Sequence, residues 1–375
     1  MRYFLIAGEP SGDLHGANLM RGLLDSDPAA QFHFWGGDNM ASVGGVENLG
    51  LHYRESSFFG LANVIRNLGT IAKQFKQCRK EIEEFAPDVV ILIDYAGFNL
   101  RIAKQTKNLG IKTFYYIAPK TWAWDEKRVK RIRQYVDELF VIFPFETDYF
   151  KSKGIESHFE GNPLVDAIAH RCKKMPSRTE FIKKNRLDER PIIALLAGSR
   201  ATEIKTNLPI MRGVTERFPD YQFVVAGVDW LSREIYDNIL SDSPISFVES
   251  QTYELLNLSE AAIVTSGTAT LETALIGVPQ VVVYRIPWIQ KVLFPIVIKI
   301  PYVSLVNINL NRECVKELLQ VSIDPTDAAE ELSKIIKGGS KRERILADYK
   351  ELSDIIGKEG ASKRFAKRMV ELINR

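Results

Sequence analysis

The stretch Thr265-Ser-Gly-Thr-Ala-Thr-Leu-Glu-Thr-Ala-Leu-Ile-Gly-Val-Pro279 carries the pattern of an α/β fold. The apolar residues 261–264 before the turn predict a short buried strand, and residues 268–276 predict a helix. Glycine and proline end that helix, and a second strand is expected at 280–284. The turn Ser266-Gly267-Thr268 then lies at a helix N-terminus, on the carboxyl edge of a sheet. Free backbone N–H groups and the helix dipole make such a turn a natural phosphate site.

Glu272 lies about one turn inside the same helix, where its carboxylate is within reach of the hydroxyl groups of a sugar. A carboxylate accepts hydrogen bonds from such hydroxyls. The same residues also fit an ordinary capped helix in an α/β domain. The stretch by itself leaves both interpretations open.

The composition limits the possible functions. A chain of 375 residues is long for one hydrophobic core, so two domains are expected. The 50 Lys and Arg residues nearly balance 47 Asp and Glu, which gives no reason to expect nucleic acid as a partner. The five His and three Cys lack metal-site spacing, so neither a structural zinc nor a disulfide framework is expected, and a reducing compartment is favoured. We also expect no cofactor. We expect no signal peptide and a soluble or peripheral protein, since the first strand begins near residue 2 and no apolar stretch spans a bilayer.

The chain opens with the first unit of a doubly wound fold. A strand is expected at residues 2–7, a turn at 8–13 and a helix at 14–24. The glycine spacing does not match the G-x-G-x-x-G pattern of a dinucleotide site. Glu9 and Asp13 lie at the carboxyl end of the strand, where α/β sites form, although Asp13 equally suits a helix cap.

A continuous apolar run, Val89 to Ile93, predicts a central parallel strand, and Asp94 follows it directly. A carboxylate at this position, beside a turn that contains Gly97, is well placed to act as a general base. The alternative is that Asp94 caps a helix that begins at about Leu100.

Two segments combine apolar and cationic side chains. Residues 58–85 have helical apolar spacing, which fits either a core-facing helix or a helix on an anionic membrane. Residues 119–133 combine two tryptophans with a run of five cations at 127–133, which fits a solvated helix face or an anionic, partly apolar substrate at a membrane. If these segments meet a membrane or such a substrate, the contacting side chains are expected to be Phe58, Phe59, Leu61, Val64, Ile65, Leu68, Trp122 and Trp124.

The second half repeats the strand, turn and helix pattern. A strand at residues 191–197 runs into Gly198-Ser199-Arg200, and a helix follows from about Asn207. Arg200 supplies a fixed cation in this turn, and guanidinium groups bind phosphate through paired donors.

Together these patterns predict an α/β protein of two Rossmann-like domains that face each other across a crevice. The first domain is expected at residues 1–163 and the second at 164–345. Helices at 346–375 are expected to pack back on the first domain or on a dimer partner.

Seven motifs follow one another along most of the chain. They are A-G-E-x-S-G-D at residues 7–13, the strand and turn at 87–99, P-x-x-W-A-W at 119–124, P-F-E at 144–146, G-S-R-x-x-E at 198–203, S-G-T-A-T-L-E at 266–272 and Y-V-S-L-x-N at 302–307. Each motif alone is weakly specific. In this order they closely resemble the motifs of the lipid-A-disaccharide synthases, a bacterial glycosyltransferase family of the GT-B class.

The resemblance implies an inverting enzyme. It would join UDP-2,3-diacylglucosamine to 2,3-diacylglucosamine 1-phosphate, release UDP and form a β-1,6 disaccharide without a metal. Such an enzyme works at the cytoplasmic face of the inner membrane, so a cytoplasmic, peripherally bound protein is expected. Family members also form dimers, which makes a homodimer one expected state.

The family's site residues carry over by motif. The second domain would bind UDP, and the first domain would bind the acceptor. The implied positions are Ser266, Gly267 and Thr268 at the diphosphate, Ser199 and Arg200 at the leaving-group charge, Glu272 at the ribose, Asn307 as a functionally important asparagine, and Glu9, Asp13 and Asp94 near the attacking hydroxyl.

One departure from the family pattern concerns the general base. Many members have D-x-P-D-F-N after the central strand, whereas this chain has Asp94-Tyr-Ala-Gly97-Phe-Asn99. Gly97 replaces the second acid, so the role of base falls to Asp94, Asp13 or Glu9, of which we favour Asp94.

Two other functions fit parts of the sequence. A UDP-N-acetylglucosamine 2-epimerase would share the two-domain fold and a glutamate on the UDP side. It would have no use for the apolar stripe at 58–71 or for the tryptophans of 119–124. A non-catalytic nucleotide-sugar or lipid-binding protein would not need Asp94.

Overall fold

The computed structural model describes residues 1–56, 68–124, 127–173, 175–285, 301–320 and 323–375. These residues form two compact units, one of Met1–Ala167 with Ile356–Arg375 and the other of Ile168–Ile355. Each unit is built on one parallel sheet with helices, which confirms the predicted α/β class.

The first unit contains a seven-stranded sheet. Its strands are β1 (Arg2–Ala7), β2 (Gln31–Gly36), β3 (Leu49–His52), β4 (Val89–Ile93), β5 (Lys112–Tyr116), β6 (Glu138–Val141) and β7 (His158–Phe159). They are ordered β3-β2-β1-β4-β5-β6-β7. The helices up to the end of this region are α1 (Pro10–Ser26), α2 (Asp38–Gly44), α3 (Tyr53–Ser56), α4 (Leu68–Phe85), α5 (Ala96–Asn108), α6 (Thr121–Trp124), α7 (Lys127–Tyr135), α8 (Pro144–Ser152) and α9 (Pro163–Cys172).

The second unit contains a six-stranded sheet. Its strands are β8 (Ile192–Leu196), β9 (Gln222–Gly227), β10 (Ser246–Glu249), β11 (Ser259–Thr265), β12 (Gln280–Arg285) and β13 (Lys316–Gln320), in the order β10-β9-β8-β11-β12-β13. The remaining helices are α10 (Arg178–Asn185), α11 (Ala201–Val214), α12 (Glu234–Leu240), α13 (Thr252–Asn257), α14 (Thr268–Ile276), α15 (Leu305–Leu310), α16 (Pro325–Ser333), α17 (Arg342–Ile356) and α18 (Ala361–Ile373).

Each sheet has one point where the strand order reverses. In the first sheet β1 lies between β2 and β4, so the polar residues that follow β1 and β4 come together at the carboxyl edge. In the second sheet β8 lies between β9 and β11, which brings the turns after β8 and β11 together. Ligands of open α/β sheets bind at such reversal points, so the topology assigns one candidate site to each unit.

The C-terminal helix α18 packs closely on α1 in the first unit. Phe365, Ala366 and Met369 are buried in the same core cluster as the inward residues of β1 and α1. The Asp166 carboxylate accepts hydrogen bonds from the N–H groups of Gly360 and Ser362 at 2.6 and 2.8 Å, which fixes the start of α18. The last helix is therefore part of the first unit's core.

Several helices begin earlier than the sequence suggested. Helix α1 begins at Pro10 rather than Leu14, α5 at Ala96 rather than Leu100, and α11 at Ala201 rather than Asn207. Proline at the first position of α1 explains that start, since its fixed φ suits a helix and its missing N–H is not needed there. The predicted bounds of α14 are confirmed.

Gly22 is the point of closest approach between α1 and α18. A Cβ atom added there would lie 2.9 Å from the Ala366 Cβ and 3.0 Å from the Ser362 carbonyl oxygen. We expect Gly22→Ala to lower the free energy of unfolding by about 1–3 kcal/mol, because the two helices must separate. Urea denaturation followed by circular dichroism measures this change.

Gly69→Ala in α4 is the matched control, because a Cβ atom at that position meets no atom of the described residues within 4 Å. The same substitution there should leave stability unchanged or raise it by up to about 1 kcal/mol through helix propensity. Equal effects of the two substitutions would contradict close packing of α1 and α18.

Candidate active site

Asp94, which follows the carboxyl end of β4, has a left-handed backbone conformation that residues other than glycine rarely adopt. Asp94 and Tyr95 have φ angles of 45° and 47°, and Ile117, just after the neighbouring strand β5, has a φ of 63°. Residues in this left-handed region cost roughly 1–3 kcal/mol each and persist only where the surrounding structure holds them. Because such strain concentrates at functional sites, the ends of β4 and β5 form a candidate site.

Two buried side chains hold the strained turn in place. Nδ2 of Asn99 donates to the Asp94 carbonyl oxygen at 2.8 Å, and the Tyr115 hydroxyl donates to the same oxygen at 2.5 Å. The Asp94 N–H donates to the Tyr116 carbonyl oxygen at 3.0 Å. Hydrogen bonds therefore fix both the N–H group and the carbonyl group of Asp94.

The Asp94 carboxyl group has an altered acidity. Burial raises the pKa of Asp94 above its ordinary value, and the positive charges of Lys120 and Arg128 offset part of that rise. A carboxylate with a raised pKa is a stronger proton acceptor at neutral pH than an exposed one. This position therefore combines fixed geometry with the acidity that a general base requires.

Glu9 lies close to this turn because Ala7 of β1 pairs with Ile93 of β4. The Tyr95 ring covers Gly8, where an added Cβ atom would lie 2.3 Å from the ring. Burial and the nearby Glu9 carboxylate raise the pKa of Tyr95. The structure therefore brings Glu9, Tyr95 and Asp94 to one edge of the sheet.

Asp13 is buried inside α1 and does not cap that helix. Its Oδ1 accepts from the N–H groups of Gly37 and Met40 at 2.7 and 3.0 Å. Its Oδ2 accepts from the N–H and the Nδ2 of Asn39 at 3.0 and 2.8 Å. Both oxygens are thus engaged at the start of α2, and the turn predicted for residues 8–13 is wrong beyond Glu9, because α1 already begins at Pro10.

Trp122 is tied to a second buried carboxyl group. Its indole Nε1–H donates to Oε1 of Glu146 at 2.9 Å, while Oε2 of Glu146 accepts from the N–H groups of Ile142 and Phe143, both at 3.1 Å. Burial raises the pKa of Glu146 to about 7, although these hydrogen bonds and Lys120 favour the charged form. A buried hydrogen bond acceptor, Glu146 of the P-F-E motif, therefore holds Trp122 of the W-A-W motif.

The turn after β11 has the geometry of an anion site. Gly267 is the N-cap residue of α14, and both Gly267 and Thr268, the first residue of the helix, are exposed. The Ser266 hydroxyl donates to the Val303 carbonyl oxygen at 3.2 Å, which ties the turn to the segment before α15. The N-terminal N–H groups of α14 are thus presented at the carboxyl edge of the second sheet.

The turn after β8 holds Arg200 beside this point. Arg200 is 60% exposed, and its Nη1 pairs with Oε1 of Glu203 at 2.8 Å. Oε2 of the same glutamate accepts from the Ser199 N–H at 3.0 Å. Glu203, the last residue of the G-S-R-x-x-E motif, therefore orients both predicted phosphate-binding residues.

Glu272 is half-buried on α14 and accepts a hydrogen bond from the Tyr253 hydroxyl at 2.6 Å. Burial raises the pKa of Glu272, and the hydrogen bond from Tyr253 opposes that rise. The carboxylate still has lone pairs for further donors. The geometry suits a residue that accepts hydrogen bonds from a sugar.

Asn307 is completely buried and uses its whole side chain within the protein. Its Nδ2 donates to the Val315 carbonyl oxygen and to Oε1 of Glu317, both at 2.9 Å. Its Oδ1 accepts from the N–H groups of Cys314 and Val315 at 2.8 and 3.0 Å. Glu317 in turn accepts from the Val303 N–H at 3.0 Å, so Asn307 is linked through Val303 to the Ser266 turn.

Part of the predicted acceptor and membrane surface lies outside the described residues. Phe58, Phe59, Leu61, Val64 and Ile65 belong to that part, as do the side chains of Leu68 and Trp124. No helix among the described residues is long and apolar enough to cross a membrane. Within the same residues, no group of three or more His, Cys, Asp or Glu side chains could hold a metal ion.

Sequence reasoning missed four residues that support these sites: Tyr115, Glu146, Tyr253 and Glu317. Each acts on a predicted site residue that is at least ten positions away in the chain. Glu146 was already part of the P-F-E motif. The presence of this motif after the W-A-W motif was the one signal in the sequence that could have pointed to Glu146 as the partner of Trp122.

Comparison with known proteins decides the family. Residues 3–369 match the family model for lipid-A-disaccharide synthetase. The chain belongs to this family. Lipid-A-disaccharide synthases of Syntrophus aciditrophicus and Myxococcus xanthus are 34% and 35% identical to it, over 99% of this chain and 97% of each relative. The prediction of a glycosyltransferase of lipid A biosynthesis is confirmed.

Solved structures support the fold of this family member. The UDP-GlcNAc 2-epimerase from Neisseria meningitidis bound to UDP-GlcNAc has a TM-score of 0.71 at 14% identity, covering 99% of this chain and all of that one. The glycotransferase of kitacinnamycin has a TM-score of 0.64 at 14% identity, over 99% and 98% of the two chains. Together with the two parallel sheets, these likenesses confirm the predicted pair of Rossmann-like domains.

The buried Glu146 predicts a dependence of stability on pH. The pKa of Glu146 is about 7 in the folded state, above the ordinary 4.5. Between pH 4.5 and 7 the folded state therefore keeps a proton that the unfolded state has released. The protonated Glu146 contributes about 3 kcal/mol to the free energy of unfolding. This contribution is fully present below about pH 4.5 and is lost as the pH rises through 7.

Urea denaturation of the wild type and of Glu146→Gln between pH 4.5 and 8 measures this effect. The free energy of unfolding of the wild type should fall relative to that of the variant as the pH rises. Parallel curves would show that Glu146 does not titrate in this range.

Proposed function

We propose that this chain transfers a 2,3-diacylglucosaminyl group from its UDP derivative to 2,3-diacylglucosamine 1-phosphate. The products are UDP and the β-1,6 disaccharide 1-phosphate, formed with inversion. The family match over residues 3–369 carries this proposal. The two candidate sites support it, since one presents a base and the other presents donors for an anion.

The donor binds in the second unit, at the turns after β8 and β11. The N–H groups at the start of α14 and the Arg200 guanidinium bind the diphosphate, and Ser199 lies beside them. Glu272 accepts hydrogen bonds from the ribose. UDP leaves with about two negative charges, and a helix N-terminus with a guanidinium stabilises that charge through preorganised dipoles.

The acceptor binds in the first unit, at the ends of β1 and β4. Asp94 takes the proton of the attacking hydroxyl as its oxygen bonds to the donor's anomeric carbon, and the bond from that carbon to UDP breaks. Glu9 lies beside this step. Asp13 and Asn307 act by positioning, because their polar atoms are engaged within the protein.

The wider setting follows from the family. We place acceptor and donor binding in residues 1–163 and 164–345, respectively. Of the C-terminal segment 346–375, which was expected to pack on the first domain or on a dimer partner, residues 346–355 belong to the second unit and 356–375 to the first. The enzyme acts at the cytoplasmic face of the inner membrane, to which it binds peripherally. The apolar stripe at 58–71 and the tryptophans of 119–124 supply its contacts with acyl chains and lipid.

The test is UDP release from the diacylglucosamine donor in detergent micelles with EDTA, with and without 2,3-diacylglucosamine 1-phosphate. Release that depends on the acceptor, together with a disaccharide product, is expected. Release without an acceptor, or conversion of UDP-N-acetylglucosamine to its 2-epimer, would contradict the proposed transfer.

Asp94→Asn tests the base. We expect acceptor-dependent turnover to fall about 10²–10⁴-fold, because the hydroxyl loses its proton acceptor. Calorimetric binding of UDP should stay as in the wild type, since Asp94 does not contact the donor. A turnover within about threefold of the wild type would assign the base to another group.

Asp88→Asn is the matched control for this prediction. Asp88 directly precedes β4, whereas Asp94 directly follows it, and the exposed Asp88 carboxylate accepts a hydrogen bond from the Arg2 N–H at 2.7 Å. Its turnover should equal that of the wild type.

A further inference from the structure

Trp230 is unusually exposed for a large aromatic side chain. It is 57% exposed, and among the described residues the other exposed large apolar side chain is Val46 at 72%. Tryptophan buries more apolar area than any other residue when it finds a partner. An exposed indole in the same unit as the turns after β8 and β11 is therefore a candidate ligand contact, and its position decides between this role and a chance surface residue.

The indole is attached to the donor turn. Trp230 follows β9, which neighbours β8, and its Nε1–H donates to the Ser199 carbonyl oxygen at 3.1 Å. Ser199 directly precedes Arg200. Since an indole has a single N–H donor, this hydrogen bond fixes the ring and leaves its faces as the surface for binding.

The loop that carries Trp230 is held at its base. The Val228 N–H donates to the Tyr236 hydroxyl at 3.4 Å, and the Arg233 guanidinium lies 3.8 Å from the centre of the Phe247 ring. Ser250, at the end of the neighbouring strand β10, has a φ of 54°, and its N–H donates to the Gly227 carbonyl oxygen at 3.0 Å. The indole is thus presented by an ordered loop, next to strained backbone on the carboxyl edge.

The surroundings of Trp230 favour a flat ring with polar edges over a hydrocarbon chain. Asp229, Ser232 and Arg233 are all exposed around it. An acyl chain needs a continuous apolar surface, whereas a nucleobase needs one aromatic face and polar groups at its rim. The uracil of the proposed donor is such a ring, joined to the diphosphate through the ribose.

We propose that Trp230 is the stacking surface for the uracil base of the UDP donor. The proposal rests on the proposed function, and it adds a base-binding residue to the diphosphate and ribose contacts. The anchored indole packs against one face of the uracil, while Arg200 and α14 bind the diphosphate. Trp230 thereby contributes affinity for the nucleotide rather than for the acylated sugar.

Isothermal titration calorimetry with UDP and with pyrophosphate tests the assignment. Trp230→Ala should weaken UDP binding about 5- to 100-fold, the range expected for one base stacked on one aromatic ring. Pyrophosphate has no base, so its affinity should not change. Trp230→Phe keeps an aromatic face without the N–H and should retain most of the UDP affinity, and Val46→Ala should bind UDP as the wild type does.

Two results would overturn the stacking role. An equal loss of affinity for UDP and pyrophosphate, or a Trp230→Phe variant as weak as Trp230→Ala, would mean that the indole only positions Ser199. Wild-type affinity for UDP in Trp230→Ala with a raised KM for the donor would mean that the ring meets the acyl chains. Failure of the wild type to bind UDP or release it would instead contradict the proposed function.

Discussion

Two hydrogen bonds to one carbonyl oxygen hold the turn on which the proposed acceptor site depends. Asn99 and Tyr115 both donate to the Asp94 carbonyl, and this fixes two successive residues in the left-handed region. Without them, Asp94 and Tyr95 would relax toward ordinary backbone angles, since each strained residue costs roughly 1–3 kcal/mol. The buried network offsets that cost and keeps the carboxylate at the end of β4.

The second unit uses the same principle with different residues. Glu317 and Asn307 hold the Val303 segment, and the Val303 carbonyl accepts from Ser266 in the donor turn. Glu203 likewise orients Ser199 and Arg200. In both units, buried or half-buried polar side chains fix loops, while the helix ends and exposed groups remain for ligands. Asn307, whose own amide is fully engaged, fixes the Ser266 turn in this indirect way.

Much of this arrangement was predictable from the sequence. The continuous apolar run from Val89 to Ile93 predicted a strand, and the glycine and proline boundaries within residues 265–279 predicted a helix. Both features are local signals, so they can be read without knowledge of the fold. The same signals placed Asp94, Arg200 and Glu272 at carboxyl edges. The roles of Asp13 and Glu146 were not predictable, since each depends on partners that only the folded chain brings near. Backbone strain at Ile117 also leaves no trace in a sequence.

We assign the role of general base to Asp94, held in its strained turn. The most direct measurement is kcat/KM for the acceptor as a function of pH, for the wild type and for the residual activity of Asp94→Asn. Because burial raises the pKa of Asp94, the wild-type profile should fall on the acid side, with an apparent pKa above the ordinary range of an aspartate. That limb should be absent from the variant. The same acid limb in both proteins would show that another group accepts the proton.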